Sequence, residues 1–510
     1  MGESWGYRPR AYVSVVQAGA FAGFRFPVDF RLLAAGGGIP PELALARTLE
    51  PLELAFLRGP LALVRQPLAL IGAALALVGG TLALVGPALA PIGARLAEGD
   101  EALALGDSAF PFLDARIGRA FFRALHGSMV ACAVRIPRVR ELVFVRSGRL
   151  AWRDRDAPTV SEPGDAIVRP FIAARCDGDT VPIHRPVSRL MQAGLAVGAI
   201  DPMVACICGR VPFKGPFAIG HECVARVLTV GSGVQHIRVG QTVVVPWAVS
   251  CGSCEPCRRG LTSKCATTTS AALAAYGFGS ASGPWGGMVT DALRVPFADH
   301  MLVPVPDDVP PLRVAAAGDN LADAWRSVVL PLRDRPGGSV LVTGGGAKSI
   351  GLYAAGLAVA HGAAVVHYVD DDPVRRRIAE AFGADTFPAR TRPRRRRAAT
   401  LGYDIVVEAS SRAAGLRRAI RSLARGGVCT AVGYYLASGT RLPVMHMYAT
   451  DATLRVGVSH ARAVLPDLLA FVARTGYPAE QVTTLTADWD DAPSAYAART
   501  TKLVLERDAD

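Results

Sequence analysis

Lysine is almost missing from this chain. Lys214, Lys264, Lys348 and Lys502 are its only lysines among 56 basic residues in a sequence of 510. The formal charge of +13 therefore reflects an arginine preference as much as a basic surface, and it says little about nucleic acid. Charged residues make up only 19% while hydrophobic ones make up 51%, which excludes a disordered polypeptide and provides for at least one large core. The length excludes a single small module and predicts two to four domains. Ten cysteines are too sparse for a disulfide-stapled secreted scaffold. Six of them (Cys132, Cys176, Cys206, Cys208, Cys223 and Cys429) are scattered, whereas Cys251, Cys254, Cys257 and Cys265 form one tight cluster. Thiols clustered at turn spacing point to a metal in a reducing compartment, the cytoplasm.

Charge is absent altogether from Pro67 to Ala94, inside a seven-residue unit repeated from Pro60 as PLALVRQ, PLALIGA, ALALVGG, TLALVGP and ALAPIGA. The run is long enough to span a membrane. Pro67, Pro87 and Pro91, a glycine in almost every unit and the missing aromatic belt argue against a span. Arg8, Arg10, Arg25 and Asp29 interrupt the order that a secretory signal needs. Residues 1–138 read as a low-complexity apolar extension without a packed structure of its own, upstream of a folded part that starts near Met129 or Val139.

From Arg140 the sequence turns to short alternating apolar segments. ELVFVRSGRLAWRD predicts a hairpin, GDAIVRPFIAA a strand, and CVARVLTVGSGV with GQTVVVPW two more strands. Beyond Asn320, SVLVTGG, AAVVHYVD, YDIVVEAS and GVCTAVGY are strand-like, with the helical stretches SIGLYAAGLAVAHG and PVRRRIAEAFGA between the first three. Such alternation predicts an α/β fold with a parallel sheet covered on both faces. The tail returns to mixed structure from Ser459 and ends in the strand-like TTKLVLER.

Three motifs carry chemistry. Cys251, Cys254, Cys257 and Cys265, spaced C-x2-C-x2-C-x7-C, suit a closed tetrahedral zinc site with no open position, therefore a structural one; iron–sulfur ligation is the alternative on donor type alone. His221 in the run GHE, with Cys176 upstream, offers two donors for a catalytic metal, and Asp179 and Glu222 are the neighbouring acids that would orient them. The run Ser339–Gly351 reads as strand, glycine turn and helix: Gly344, Gly346, Ser349, Ile350 and Gly351 would cradle a pyrophosphate. Asp370, at the end of the next strand, would accept the adenosine ribose hydroxyls and favour NAD over NADP.

In this order, GHE, the cysteine lobe closing in RRGLTSKC and the glycine run resemble the zinc-dependent alcohol dehydrogenases of the medium-chain dehydrogenase/reductase family. The resemblance covers residues 139–510. It implies a β-rich GroES-like catalytic domain over 139–320 and 459–510, a Rossmann NAD-binding domain over 321–458, two zinc ions per chain and a homodimer or homotetramer. Cys176 and His221 match the first two catalytic-zinc ligands. GDNLADAW resembles the formaldehyde and threonine dehydrogenase-like subgroup that uses aspartate as the third, which assigns Asp319. The implied reaction passes a hydride between an alcohol and NAD, or runs in reverse from an aldehyde or ketone. Trp247 aligns with an aromatic wall of the substrate pocket.

Several positions depart from the family pattern. Gly178 replaces the hydroxyl residue that starts a proton relay, with Thr180 or water as the substitute. Asp177 stands where some members place a basic residue facing the cofactor phosphates. Lys348 takes the middle glycine position, from which its ammonium would neutralise phosphate charge. Cys206 and Cys208 read as part of an insertion near the cleft. Arg390, Arg392 and Arg394–Arg397 read as a solvated loop rather than a nucleic-acid surface. The competing readings are a membrane-tethered redox protein and a catalytically impaired NAD sensor.

Overall fold

The computed structural model describes residues 138–209, 211–268, 272–389 and 402–509, all within one compact unit, Val134–Asp510. Of the apolar extension expected over 1–138, residues 1–137 lie outside the described residues, as does the arginine run at 390–397, while Arg138 already belongs to the first strand. Among the described residues no helix is long and apolar enough to cross a membrane.

The first half is built from antiparallel strands. β1 (Arg138–Arg146) and β2 (Arg149–Asp156) form the hairpin expected from ELVFVRSGRLAWRD, closed by a two-residue turn whose Gly148 adopts the left-handed conformation. β3 (Ala166–Ala174), β4 (Phe217–Ala218), β5 (Glu222–Val230), β6 (Thr242–Val245), β7 (Leu293–Val295) and β8 (Val303–Pro304) follow. β4 joins the hairpin in a small sheet, and the others pair around β3 and β5 in a larger one. Inward side chains from both sheets, among them Leu142, Phe144, Val168, Ala225 and Val243, bury a common core with Tyr276 and Val289 from the connecting segments.

The second half switches to parallel pairing. β9 (Ser339–Thr343), β10 (Val365–Val369), β11 (Asp385–Phe387), β12 (Tyr403–Glu408), β13 (Leu423–Ala431) and β14 (Thr453–Val456) lie in the spatial order β11-β10-β9-β12-β13-β14. Numbered from its own first strand, the sheet reads 3-2-1-4-5-6, the doubly wound order whose crevice opens where the winding reverses, between β9 and β12. All five residues of β9 are buried, because helices cover both sheet faces and no side needs polar residues. β11 and β14 were not foreseen: each has three or four residues, too few polar–apolar alternations to register.

Two helices meet at the crevice. Asn320–Asp334 crosses from the β-rich part into the parallel sheet, and Lys348–Ala360 starts immediately after the glycine turn of β9. The second is apolar nearly all round and buried from Ser349 to Ala358, with Gly356 facing Tyr477 and Phe382 where a Cβ would clash at 2.4 Å and 3.0 Å. A single large core joins Val244 and Trp247 through Leu321, Trp325 and Val328 to Val340, Val342 and Leu352. Helix Ala461–Thr475 then returns the chain, and β15 (Leu485–Asp488) and β16 (Leu503–Glu506) finish the larger sheet, β15 running parallel to β16 and β16 antiparallel to β3. The TTKLVLER strand thus ends beside the segment that leads to Cys176.

Candidate functional site

Cys176 follows β3, His221 sits at the head of β5, and Asp319 precedes helix Asn320–Asp334. Although 143 residues separate the first from the last, their donor atoms lie within 4.8 Å of one another. Cys176 Sγ is 3.3 Å and His221 Nε2 3.4 Å from Asp319 Oδ2. Tetrahedral zinc bonds of about 2.0–2.3 Å set neighbouring donors about 3.3–3.8 Å apart, so this thiolate–imidazole–carboxylate set fits the ion. Asp319 keeps 14% of its side chain exposed while His221 keeps 1%, so access is from the carboxylate side.

The acids predicted to orient these groups act differently from each other. Asp179 Oδ1 lies 3.3 Å from His221 Nδ1, which fixes the ring and leaves Nε2 toward the other donors. Burial opposes a charge on His221, yet Asp179 and Cys176 raise its pKa well above the ordinary value. Burial and the Asp319 charge push the Cys176 thiol up to about 12, so a bound cation is needed to hold it as thiolate near neutral pH. Glu222 does not touch the donors. One of its oxygens accepts from Asn320 N at 2.8 Å, and the other is paired with Lys502, both side chains being fully buried. Burial raises the Glu222 pKa and the Lys502 ammonium counters it.

Two residues missed by the sequence reading tie the site together. Asn320 Nδ2 donates to Cys176 Sγ at 3.1 Å and to Asp319 Oδ2 at 3.0 Å, while Asn320 Oδ1 accepts from Lys502 Nζ and Ser349 Oγ, each at 2.9 Å. Every polar atom of that carboxamide is used in a buried setting, which fixes its orientation. No spacing in the sequence links Lys502 to a site some 180 positions upstream, although its being one of only four lysines was a weak signal. Trp247 does lie beside the site, its ring 6.4 Å from the His221 imidazole, and Phe278, also missed, is nearer at 4.7 Å.

Of the departures, Gly178 proves consequential. A Cβ built there would meet the Tyr434 hydroxyl at 3.4 Å and Cys176 Sγ at 3.5 Å, so the phenol reaches the space left by the missing side chain. Thr180, by contrast, donates its hydroxyl to the Asp177 carbonyl at 2.6 Å. Lys348 is directed at the Thr500 carbonyl, 3.4 Å away, rather than into the crevice. Cys206 and Cys208 lie on helix Met203–Cys208 and join neither cluster of metal-type donors found among the described residues.

The four clustered cysteines also converge, all four sulfurs lying within 4.8 Å. Gly252 turns the chain with φ of +78°, and Pro256 opens the short helix Glu255–Arg258. Cys251 N donates to Cys265 Sγ and Cys254 N to Cys251 Sγ, contacts that favour thiolates. Burial opposes ionisation of Cys251, but the Ser253 and Thr267 hydroxyls outweigh it and bring that thiol down to about 5.

At the crevice, Gly344 and Gly346 hold the turn: a Cβ on Gly344 would strike Asp370 Oδ2 at 2.4 Å, and one on Gly346 the Ser411 hydroxyl at 2.4 Å. Gly351 faces Ala409, and Ile350 is buried in the core beneath. Asp370 ends β10 as expected, but Arg375 grips both its oxygens at 2.7 Å and the Tyr368 hydroxyl adds a third contact. Its negative charge is therefore largely offset. The Ser349 N–H at the start of the helix is held by Asp177.

Residues 162–307 match the alcohol dehydrogenase GroES-like domain, and residues 349–474 match the zinc-binding dehydrogenase family. A probable zinc-binding alcohol dehydrogenase of Mycobacterium tuberculosis is 29% identical over 297 residues, 57% of this chain and 73% of that protein. A glutathione-independent formaldehyde dehydrogenase of Pseudomonas aeruginosa is 31% identical over 205 residues, 39% of this chain and about half (49%) of that relative. Among solved structures, an alcohol dehydrogenase from Thermus sp. ATN1 superposes with a TM-score of 0.61 at 29% identity, covering 72% of this chain and 99% of that one.

Proposed function

The chain belongs to the zinc-dependent alcohol dehydrogenases of the medium-chain dehydrogenase/reductase family, and from that premise we propose that it is an NAD-linked enzyme that interconverts a small alcohol and its aldehyde or ketone. The reading is carried by the convergence of Cys176, His221 and Asp319 from three distant segments into one partly open donor set. These three would hold a catalytic zinc, and Cys251, Cys254, Cys257 and Cys265 a structural one, two ions per chain. Gly344, Gly346, Ile350, Gly351 and Asp370 would hold NAD along the crevice. We assign 139–320 with 459–510 to catalysis and 321–458 to the cofactor, in a cytoplasmic homodimer or homotetramer.

When bound, zinc supplies Lewis acidity to a substrate oxygen, and NAD accepts the hydride. The protein's own residues provide the setting. Asp179 keeps His221 Nε2 turned toward the donors, and the Asn320 carboxamide stabilises negative charge on Cys176 Sγ and Asp319 Oδ2. Trp247 and Phe278 line the imidazole side and exclude water, which strengthens every charge interaction inside. Tyr434 reaches the Cys176–Gly178 corner while half of its surface remains exposed. Its hydroxyl is placed to take the proton of the substrate alcohol outward, the role that a hydroxyl at position 178 would fill.

Purified chain assayed with NAD across alcohols, aldehydes and polyols, alongside zinc quantitation, tests the reading. Two zinc ions and turnover on at least one small alcohol are expected. Full turnover after removal of all zinc would overturn it. Tyr434→Phe is expected to lower kcat about a hundredfold with little change in KM, read by steady-state kinetics.

A further inference from the structure

The helix Lys348–Ala360 presents its N-terminus to the crevice, where unpaired N–H groups and the helix dipole attract an anion. An anion is already there. Asp177 Oδ2 accepts from the Ser349 N–H at 2.8 Å and from the Ser349 hydroxyl at 2.9 Å. The carboxylate belongs to the β-rich part of the chain, following β3, whereas Ser349 belongs to the parallel-sheet part, so the contact bridges the two. Asp177 is only 8% exposed, and its other oxygen, Oδ1, is buried with no hydrogen-bond partner. A buried carboxylate oxygen without a partner is destabilising, so this carboxylate is a poor match for the place it occupies.

We propose that Asp177 is a resident anion in the diphosphate cradle, a latch across the crevice that a dinucleotide must displace in order to bind. The proposal rests on the NAD reading above. A diphosphate carries more charge and more acceptor oxygens than one carboxylate, so it satisfies the helix N-terminus better once Asp177 has left. Displacement is also felt at the metal donors. Asp177 follows Cys176 directly in the chain, and its Oδ2 competes with Asn320 Oδ1 for the single hydroxyl proton of Ser349, 2.9 Å from each, while the Asn320 carboxamide contacts Cys176 Sγ and Asp319. Cofactor arrival and the setting of the thiolate are thereby linked through one short network. The latch makes the empty enzyme bind dinucleotide weakly and keeps its crevice drawn together.

The test is titration of the zinc-loaded full chain with NADH, followed by its fluorescence, and with ADP-ribose and adenosine, followed by calorimetry. Wild type is compared with Asp177→Asn and Asp177→Ser. Both variants are expected to bind NADH and ADP-ribose at least about tenfold more tightly, while adenosine, which lacks the diphosphate, is unaffected. A carboxylate that merely supported the loop would change affinity in the opposite direction when removed. Unchanged or weaker NADH binding by both variants, with wild-type zinc content and melting temperature, overturns the latch and leaves the NAD reading intact. Absence of NADH and ADP-ribose binding in wild type and variants alike overturns both.

Discussion

The four-cysteine lobe gathers its donors from Cys251 to Cys265, whereas the second centre draws a thiolate, an imidazole and a carboxylate from positions up to 143 residues apart. The first closes on itself through turns at Gly252 and Pro256 and uses only backbone and neighbouring hydroxyls for support. The second depends on strand ends, a helix start and a buried Glu222–Lys502–Asn320 network that no local sequence encodes. Local closure suits an ion that stays and bears no substrate. Assembly from distant elements leaves the carboxylate side partly exposed, beside the crevice at which helix Lys348–Ala360 begins.

The sharpest way to break this comparison is to remove one donor from each centre. His221→Ala should lower turnover by at least about a thousandfold while one zinc per chain and a folded protein remain. Retained turnover would remove the distributed centre from the chemistry. Cys257→Ser should give the converse: loss of the other zinc and a lower melting temperature, with the donor set at Cys176 still able to bind metal, read by zinc analysis and thermal melts.

The support of the distributed centre is exposed by Lys502→Met, which leaves Glu222 as an uncompensated buried charge. The expected loss is about 3–5 kcal/mol in urea unfolding. Glu222→Gln in the same background should recover part of it, because the stranded charge is then gone.

The smallest effect concerns two histidines beside the cysteine lobe. Burial lowers the pKa of both His300 and His460 to about 4. His300 Nε2 lies 3.0 Å from Ser250 Oγ, and His460 Nδ1 lies 2.7 Å from Ser263 Oγ. Because both stay neutral in the fold but protonate near pH 6.5 once unfolded, the unfolded chain binds more protons between those values. Stability should fall as pH drops from about 6.5 toward 4. His460→Asn should make that decline shallower in urea melts at a series of pH values, and an identical slope would assign the decline to other groups.

Much of this architecture was legible in advance, because the signals involved are local. Alternating apolar residues in ELVFVRSGRLAWRD marked the hairpin, and the uninterrupted apolar run SVLVT marked a strand buried on both faces. Cys176 and His221 stood out as metal donors beside the acids Asp179 and Glu222, whereas Asp319 was assigned only by resemblance to a family pattern. Lys502, Asn320, Phe278 and Tyr434 escaped, since each acts on the site across a fold-level contact with no sequence period behind it. Asp177 was noticed as misplaced for a phosphate, but where its carboxylate would go was not visible.

The sequence by itself determined the cysteine lobe, the strand and helix rhythm and the glycine turn, because turn spacing and hydrophobic periodicity act over a few residues. Only the tertiary structure decided that Glu222 pairs with Lys502, that Arg375 takes both oxygens of Asp370, and that Asp177 sits on the Ser349 N–H. Those choices are made by burial. Once water is excluded, each charge and each helix-end N–H must take whatever partner the packing brings within reach.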